Sequence, residues 1–297
     1  MFGEVTISIL LLTGLGLLFA TILAIAYKKM KVYEDPRIDQ VESMLPGANC
    51  GACGMPGCRA FAEKLVGMEM SPGKCTVSSP SSVEKIATFL GIDAGGGEKV
   101  VARLLCAGGT KESSRQVAYS GHLNTCRGEA AIAGGTKDCN WGCLGWGDCA
   151  DACDFDAIHM NANGLPVVDI DKCVACNDCV EICPKGLFTL MPTTQKLIVQ
   201  CKSLLAGEEA LARCSVACNA CGRCAADSIP GLIEMSNNLP VIHYEMNELT
   251  SPVATVRCPT GAIVWLEHEK QFEDQVTSGL AVGQVDTGEF DEDIYYQ

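Results

Sequence analysis

Four cysteines between residues 173 and 184, spaced C-x2-C-x2-C-x3-C-P, constrain the fold of this chain more than any other feature. In bacterial ferredoxins this spacing lets three thiolates bind one [4Fe–4S] cluster, while the fourth thiolate reaches a second cluster. Structural zinc sites are the alternative, but they usually consist of two separated cysteine pairs. The run therefore predicts one half of a ferredoxin-like, two-cluster fold.

A second half lies just upstream, where four more cysteines occur between residues 139 and 153 with wider spacings. Its last step is again x3, although Asp154 follows where a proline is usual. Each cluster of such a pair takes three cysteines from one half and one from the other. The predicted sets are Cys139, Cys143, Cys149 and Cys183 for one cluster, and Cys153, Cys173, Cys176 and Cys179 for the other.

An N-terminal block of four cysteines contains several glycines and a proline, which let the backbone fold closely around an inorganic core. No histidine lies near this block, so four thiolates are the available ligands. The block predicts a third [4Fe–4S] cluster, bound by Cys50, Cys53, Cys58 and Cys75.

The C-terminal block resembles a ferredoxin pair that has lost one complete ligand set. The positions expected for that set hold Ser228, Glu248, Ser251 and Ala254. The crossed pairing still completes the other set, so this block predicts a single cluster. Its ligands are Cys218, Cys221, Cys224 and Cys258.

Four of the twenty cysteines remain outside these sets, namely Cys106, Cys126, Cys201 and Cys214. Free cysteine often behaves as a small buried hydrophobic residue, and this is the preferred interpretation here. A redox-active disulfide and a further cluster stay open as alternatives. The sequence assigns these four residues no defined role.

An uncharged stretch from Val5 to Tyr27 predicts a membrane-spanning helix about 34 Å long, enough to cross a hydrocarbon core of about 30 Å. A signal peptide is the alternative, but its basic residues would precede the apolar stretch. Here Glu4 precedes the stretch, and Lys28, Lys29 and Lys31 follow it. Because cationic flanks stay in the cytoplasm, the rest of the chain should lie on the cytoplasmic face.

The net charge of −14 argues against nucleic-acid binding, which needs a basic face. Much of that charge lies in residues 267–297, an acidic run that predicts a disordered tail. The sequence contains no Walker loop and no G-x-G-x-x-G between a strand and a helix. It therefore predicts neither a nucleotide site nor catalytic acid–base residues in this chain.

Together these parts predict an α+β chain with a single transmembrane helix, a small helical 4Fe-4S domain, a two-cluster ferredoxin-like module and a second ferredoxin-like module retaining one cluster. The predicted divisions are residues 1–31 for the anchor, 32–92 for the helical domain, 93–137 for a linking α/β segment, 138–195 and 196–266 for the two modules, and 267–297 for the tail.

This order of parts, with GGTKDCNWGCLGWGDCADACDFDAI followed by CVACNDCVEICPKGLF, resembles the B subunit of the Rnf complex. The resemblance covers residues 1 to 265 and implies an electron-relay subunit of a membrane-bound ferredoxin:NAD⁺ oxidoreductase, itself a translocase. It implies that the chain accepts electrons from reduced ferredoxin or flavodoxin and passes them to membrane subunits. NAD⁺ reduction and Na⁺ or H⁺ translocation would belong to other subunits.

The same resemblance implies an inner-membrane location and about four [4Fe–4S] clusters as cofactors. Related Rsx complexes, which keep a redox-sensing transcription factor reduced, provide an alternative function. Shorter chains that end after the first ferredoxin module would suit that alternative better than this one. A membrane-bound zinc scaffold is a third hypothesis, which a brown protein absorbing near 400 nm would exclude.

Overall fold

The computed structural model describes residues 2–30, 34–117, 124–266 and 271. Helix α1, Phe2–Met30, contains the expected apolar stretch. Its segment Leu10–Lys29 is long and apolar enough to cross a membrane, and none of its most apolar part is buried within the protein. Lys31 of the predicted basic flank lies outside the described residues.

A small helical domain follows, built from α2 (Pro36–Met44), α3 (Cys58–Val66) and α4 (Pro80–Leu90). The side chains of Asp35 and Ser79 accept backbone N–H groups at the starts of α2 and α4, so each helix begins with an ordinary cap. The three helices pack around one apolar core. Its fully buried members include Val41, Phe61, Leu65 and Ile86.

The first of two modules of mixed structure consists of two antiparallel strand pairs and three short helices. Strand β1 (Val100–Leu104) pairs with β4 (Phe188–Pro192), and β2 (Ile158–Met160) pairs with β3 (Pro166–Val168). Its helices are α5 (Cys126–Ala130), α6 (Asp148–Asp151) and α7 (Asp178–Ile182). Because β1 pairs with β4, part of the predicted linking segment 93–137 belongs to this module.

The second module repeats this layout. Strand β5 (Leu197–Val199) pairs with β8 (Ile263–Trp265), and β6 (Ile233–Ser236) pairs with β7 (Leu239–Ile242). Its α-helices are α8 (Gly207–Arg213), α9 (Arg223–Ala226) and α10 (Val253–Val256), and a 3₁₀ helix spans Tyr244–Leu249. In each module the first strand therefore pairs with the last, which closes the unit around its own core.

The predicted acidic tail, residues 267–297, lies outside the described residues except for Gln271. The Gln271 amide is buried and acts like a strand partner of Leu104 in β1. Its Oε1 accepts the Leu104 N–H at 3.1 Å, and its Nε2 donates to the Leu104 carbonyl at 3.0 Å. The chain beyond β8 is thus attached to the first module at this residue.

Candidate metal centres

All twenty cysteines are free thiols, and they gather in five groups of four. Each group lines its own cavity. We call these groups sites A to E, in the order in which neighbouring sites contact one another. Site A contains Cys50, Cys53, Cys58 and Cys75; site B contains Cys153, Cys173, Cys176 and Cys179; site C contains Cys126, Cys143, Cys149 and Cys183; site D contains Cys106, Cys139, Cys201 and Cys214; site E contains Cys218, Cys221, Cys224 and Cys258.

Site A brings together the four cysteines predicted for the helical domain. The Asn49 side chain fixes the loop by accepting the Cys58 N–H at 2.8 Å, which orients the start of α3 toward the cavity. A Cβ at Gly57 would lie 2.9 Å from the Asn49 oxygen, so a larger residue there would displace this side chain. The Phe61 ring contributes the apolar wall of the cavity.

Site B brings together the predicted set from both halves of the first module. Backbone N–H groups point at two of its sulfurs: Ala157 donates to Cys153 Sγ at 3.4 Å, and Ala102 of β1 donates to Cys173 Sγ at 3.5 Å. Burial, followed by the neighbouring thiols, raises the pKa of Cys179 to about 12. The Cys179 thiol is therefore neutral by itself, and a bound cation is needed to ionise it.

Site C differs from the predicted set, because Cys126 replaces Cys139. Asp148 explains the difference: its Oδ1 accepts the Cys126 N–H at 2.7 Å and its Oδ2 accepts the Arg127 N–H at 3.2 Å. Asp148 directly precedes Cys149 at the start of α6. The carboxylate therefore holds the start of α5 beside α6 and brings Cys126 to the cavity that Cys143, Cys149 and Cys183 line.

Cys139 lies instead in site D, where it meets three of the cysteines that the sequence left without a role. Lys137 supplies the physical reason. Its buried ammonium donates to the Gly108 carbonyl at 2.5 Å and to the Cys143 carbonyl at 2.8 Å, so the segment before Cys139 is held against the loop that follows β1. That loop carries Cys106.

Site E brings together the four cysteines predicted for the second module. Burial by itself raises the pKa of Cys258, but backbone N–H groups, including those of Ile263 and Thr260, outweigh it and hold the pKa below its usual value. Cys221 is the one exposed cysteine of the twenty. Site E therefore has the ligand that lies nearest to solvent.

The structure does not gather the four positions expected for a lost ligand set around a cavity. Glu248 is exposed on the 3₁₀ helix, whereas Ala254 is buried in the core of the second module. The Ser228 hydroxyl donates to the Ala225 carbonyl at 3.0 Å. Hydrophobic side chains, among them Tyr244 and Met246, pack in this part of the module.

Neighbouring sites contact each other in the order A, B, C, D, E. Between A and B, the Thr76 hydroxyl donates to the Val174 carbonyl at 2.6 Å, next to Cys75 and Cys173. Sites B and C share one apolar core, which contains both Cys149 and Cys179. The Cys143 N–H of site C donates to Cys106 Sγ of site D at 3.4 Å, and the Cys218 N–H of site E donates to Cys201 Sγ of site D at 3.4 Å.

Comparison with known proteins gives a consistent result. A family model for an Fe-S cluster matches residues 45–77, and one for a 4Fe-4S binding domain matches residues 165–188. The chain is 40% identical over 245 residues to the B subunit of the Na⁺-translocating ferredoxin:NAD⁺ oxidoreductase complex of Acetobacterium woodii, covering 82% of this chain and 73% of the relative.

It is 35% identical over 263 residues to the B subunit of the proton-translocating ferredoxin:NAD⁺ oxidoreductase complex of Clostridium ljungdahlii, covering 88% of this chain and 92% of the relative. It is 34% identical over 256 residues to the B subunit of the ion-translocating oxidoreductase complex of Methanosarcina acetivorans, covering 86% and 96%. The chain belongs to the family of Rnf B subunits. The predicted family resemblance is therefore confirmed.

A buried polar network supports site C in this Rnf protein. The Glu129 carboxylate is fully buried and accepts hydrogen bonds from Arg115 at 2.6 and 2.7 Å, from Thr136 and from Trp146. Burial alone raises the pKa of Glu129, but these donors outweigh it and lower the pKa to about 2. The network joins α5, which carries Cys126, to the loop before α6.

Sequence reasoning missed the role of Cys106 and Cys201, although a signal for them exists in the repeat of this Rnf protein. Each residue stands two positions beyond the strand that opens a module, β1 for Cys106 and β5 for Cys201. The two loops also pair directly, because the Ala107 N–H donates to the Gln200 carbonyl at 3.0 Å. The equivalent positions of the two cysteines in the repeat indicate that they belong to one group.

Proposed function

We propose that this Rnf protein relays electrons between reduced ferredoxin or flavodoxin and the membrane subunits of its complex, through [4Fe–4S] clusters in sites A, B, C and E. The observation that carries the proposal is the grouping of the cysteines in fours around cavities that contact one another in series. The relatives are named for ferredoxin:NAD⁺ oxidoreductases that translocate Na⁺ or protons. NAD⁺ reduction and ion movement would take place on other subunits.

The donor sets fit an iron–sulfur cluster better than a single ion. Among the described residues, no three His, Cys, Asp or Glu side chains converge as the ligands of one ion would. The four cysteines of each group instead line one shared cavity, without converging on a single point. Thiolate ligands without histidine or carboxylate partners are the set that a [4Fe–4S] cluster prefers.

A bound cluster supplies reversible one-electron transfer, and the surroundings of the cluster decide at which potential this occurs. The chain contributes backbone N–H groups aimed at sulfur, as at Cys153, Cys173 and Cys183, where the donor–sulfur distances are 3.4 to 3.5 Å. Such hydrogen bonds stabilise added negative charge and raise the potential. The apolar walls of the cavities exclude water.

The two ends of the series suit different partners. Helix α1 ends at Met30 and α2 begins at Pro36, so the connecting residues 31–35 span at most about 20 Å even when fully extended. Site A therefore stays near the membrane end of the chain, where we place electron exit on the cytoplasmic side. Site E has the exposed Cys221, and we place docking of the soluble donor at this end.

The proposal is tested with Cys53→Ser, which removes one site A ligand, in the complete complex in membrane vesicles. We expect ferredoxin-driven NAD⁺ reduction to fall at least about 100-fold, because the last cluster before the membrane subunits is disrupted. The matched control is Met55→Leu in the same loop, which should retain most of the rate. Undiminished ferredoxin-driven turnover in Cys53→Ser would contradict the relay.

A further inference from the structure

We propose that site D binds a fifth [4Fe–4S] cluster, held by Cys106, Cys139, Cys201 and Cys214, and that this cluster connects the two ferredoxin-like modules. The inference rests on the proposed relay function and adds a cluster to it. None of the ferredoxin spacings in the sequence includes these four residues as a set. Their grouping exists only in the folded chain.

The four residues come from four separate segments that the fold ties together. The loop after β1 carries Cys106 and the loop after β5 carries Cys201, and these loops are joined by the hydrogen bond from Ala107 to Gln200. Cys214 directly follows Arg213, the last residue of α8. The Ser113 hydroxyl donates to the Arg213 carbonyl at 2.8 Å. Contacts from every side thus fix the positions of the sulfurs.

Gly108 shows how closely the backbone surrounds this site. A Cβ at residue 108 would lie 2.8 Å from Cys214 Sγ and 3.9 Å from Cys106 Sγ. Cys106, Cys139 and Cys214 are each less than a tenth exposed. The walls of the cavity include Trp141 and Val216. A backbone that approaches sulfur this closely is typical of a cluster cradle.

A role as ordinary buried thiols explains the group less well. Small hydrophobic residues in a core pack against each other, whereas these four sulfurs line one cavity as the ligands of the other sites do. A redox-active disulfide needs an accessible thiolate, but Cys106, Cys139 and Cys214 are all buried. With site D counted, each of the twenty cysteines belongs to one set of four.

Hydrogen bonds place site D between its neighbours. Cys106 Sγ accepts the N–H of Cys143, a ligand of site C, and Cys201 Sγ accepts the N–H of Cys218, a ligand of site E. A cluster bound to Cys106 and Cys201 would therefore be separated from one ligand of each neighbouring cluster by a single hydrogen bond. Site D joins the two modules into one series.

The chemistry balances without a further reactant. Four thiols release four protons when they bind the cluster, as thiolate ligation requires. In each transfer one electron arrives from one neighbouring cluster, which is oxidised, and one electron leaves to the other, which is reduced. The electron transfer itself forms and breaks no covalent bond; the S–H bonds are exchanged for Fe–S bonds only when the cluster is first bound.

The first test measures iron and acid-labile sulfide in the full-length chain, purified in detergent without oxygen. Five clusters give about 20 of each per chain, whereas four give about 16. A value near 16 would overturn the fifth cluster and leave the relay intact. A chain without iron would overturn the relay itself, so the two failures are distinguishable.

The second test locates the cluster with the double variant Cys201→Ser/Cys214→Ser. We expect a loss of about four irons and about four sulfides, with the signals of the other clusters retained in electron paramagnetic resonance spectra of the reduced protein. Leu205→Ala is the matched control, because Leu205 packs beside Cys214 without lining the cavity. Unchanged iron in the double variant would assign the additional cluster elsewhere and contradict the proposal. If the double variant does not fold, an iron content near 20 per wild-type chain decides in favour of the fifth cluster.

Discussion

The two modules share one strand layout, but they contain different numbers of cysteine groups. In the first module, the pairs β1–β4 and β2–β3 frame sites B and C. In the second, β5–β8 and β6–β7 frame site E alone. The comparison shows that this strand layout does not require two clusters in order to close around a core.

In the second module, apolar side chains pack in the region where a further cluster would be expected. Tyr244, Met246 and Ala254 pack with Leu197 and Ile233 in one apolar group. The Tyr244 hydroxyl donates to the Leu197 carbonyl of β5 at 2.9 Å, and burial raises the pKa of Tyr244 to about 12. Burying a large apolar side chain contributes about 1.5–3 kcal/mol, so side chains replace the cluster as the core of this half.

The largest effect is expected in the first module, from Cys176→Ala at site B. The variant should lose about four irons, because the remaining three thiolates no longer complete the ligand set of a [4Fe–4S] cluster. Ferredoxin-driven turnover of the complex should fall below detection. Iron analysis and turnover in membrane vesicles check both expectations.

The control is Asp171→Ala, a substitution of a nearby exposed residue, and this variant should keep the full iron content. Normal turnover with Cys176→Ala would mean that electrons bypass site B. The first module would then resemble the second in using one of its two cluster positions.

Glu129→Ala tests whether the first module also depends on its buried charge network. Removing one partner of a fully buried ion pair typically costs about 3–5 kcal/mol, but Arg115 is a third exposed to solvent, so we expect a smaller cost here. We expect Arg115 to be left unpaired and the cluster of site C to be lost faster on warming. The rate of bleaching near 400 nm at fixed temperature measures this loss.

The exposed ion pair between Lys64 and Glu69, 2.6 Å apart, provides the contrast for Glu129. Glu69→Ala should change the bleaching rate little, since exposed pairs contribute about 0–1 kcal/mol. Equal rates for the two variants would show that the buried network contributes nothing special to site C.

Tyr244→Ala probes the hydrocarbon core of the second module. Loss of the half-buried ring should destabilise this module by about 2–4 kcal/mol, less than a fully buried aromatic side chain would. Tyr244→Phe keeps the ring and removes one hydrogen bond, so its cost should be about 1 kcal/mol. Proteolysis of the second module under native conditions ranks the variants, and equal susceptibility of the two would contradict the packing role of the ring.

The smallest effect is expected from adding cysteines. The quadruple variant Ser228→Cys, Glu248→Cys, Ser251→Cys and Ala254→Cys places a cysteine at each position of the lost ligand set. We expect no additional iron, because Glu248 is exposed, Ala254 is buried and Tyr244 fills the core between the strands. A gain of about four irons would show that the residue types alone, rather than the packing, removed the cluster.

The sequence predicted those parts of the fold and site that depend on short spacings. Cys173, Cys176 and Cys179 lie within one loop, and the structure places them together with Cys153 as the crossed pairing requires. The membrane-length helix is likewise a local feature, since an uninterrupted apolar run needs no tertiary information. Helix and spacing signals of this kind are visible in any short window of the chain.

The exchange of Cys126 for Cys139 could not be predicted in this way. Cys139 is closer in sequence to Cys143, but the side chains of Lys137 and Asp148 decide which cysteine reaches site C. Both side chains act through hydrogen bonds to backbone groups elsewhere in the chain. Such hydrogen bonds cannot be inferred from the cysteine spacing. Site D depends even more on tertiary structure, because its four cysteines lie in separate segments, two of them in loops that follow β1 and β5.

The division of site D between two modules has a consequence for how the chain matures. A ribosome that has released residues up to Cys183 has supplied every cysteine of sites A, B and C, but only Cys106 and Cys139 of site D. The second module must emerge and dock before the remaining two thiols arrive. Insertion of the proposed cluster at site D would therefore report that both modules have been made and assembled, and electron transfer along the whole proposed series would begin only from that point.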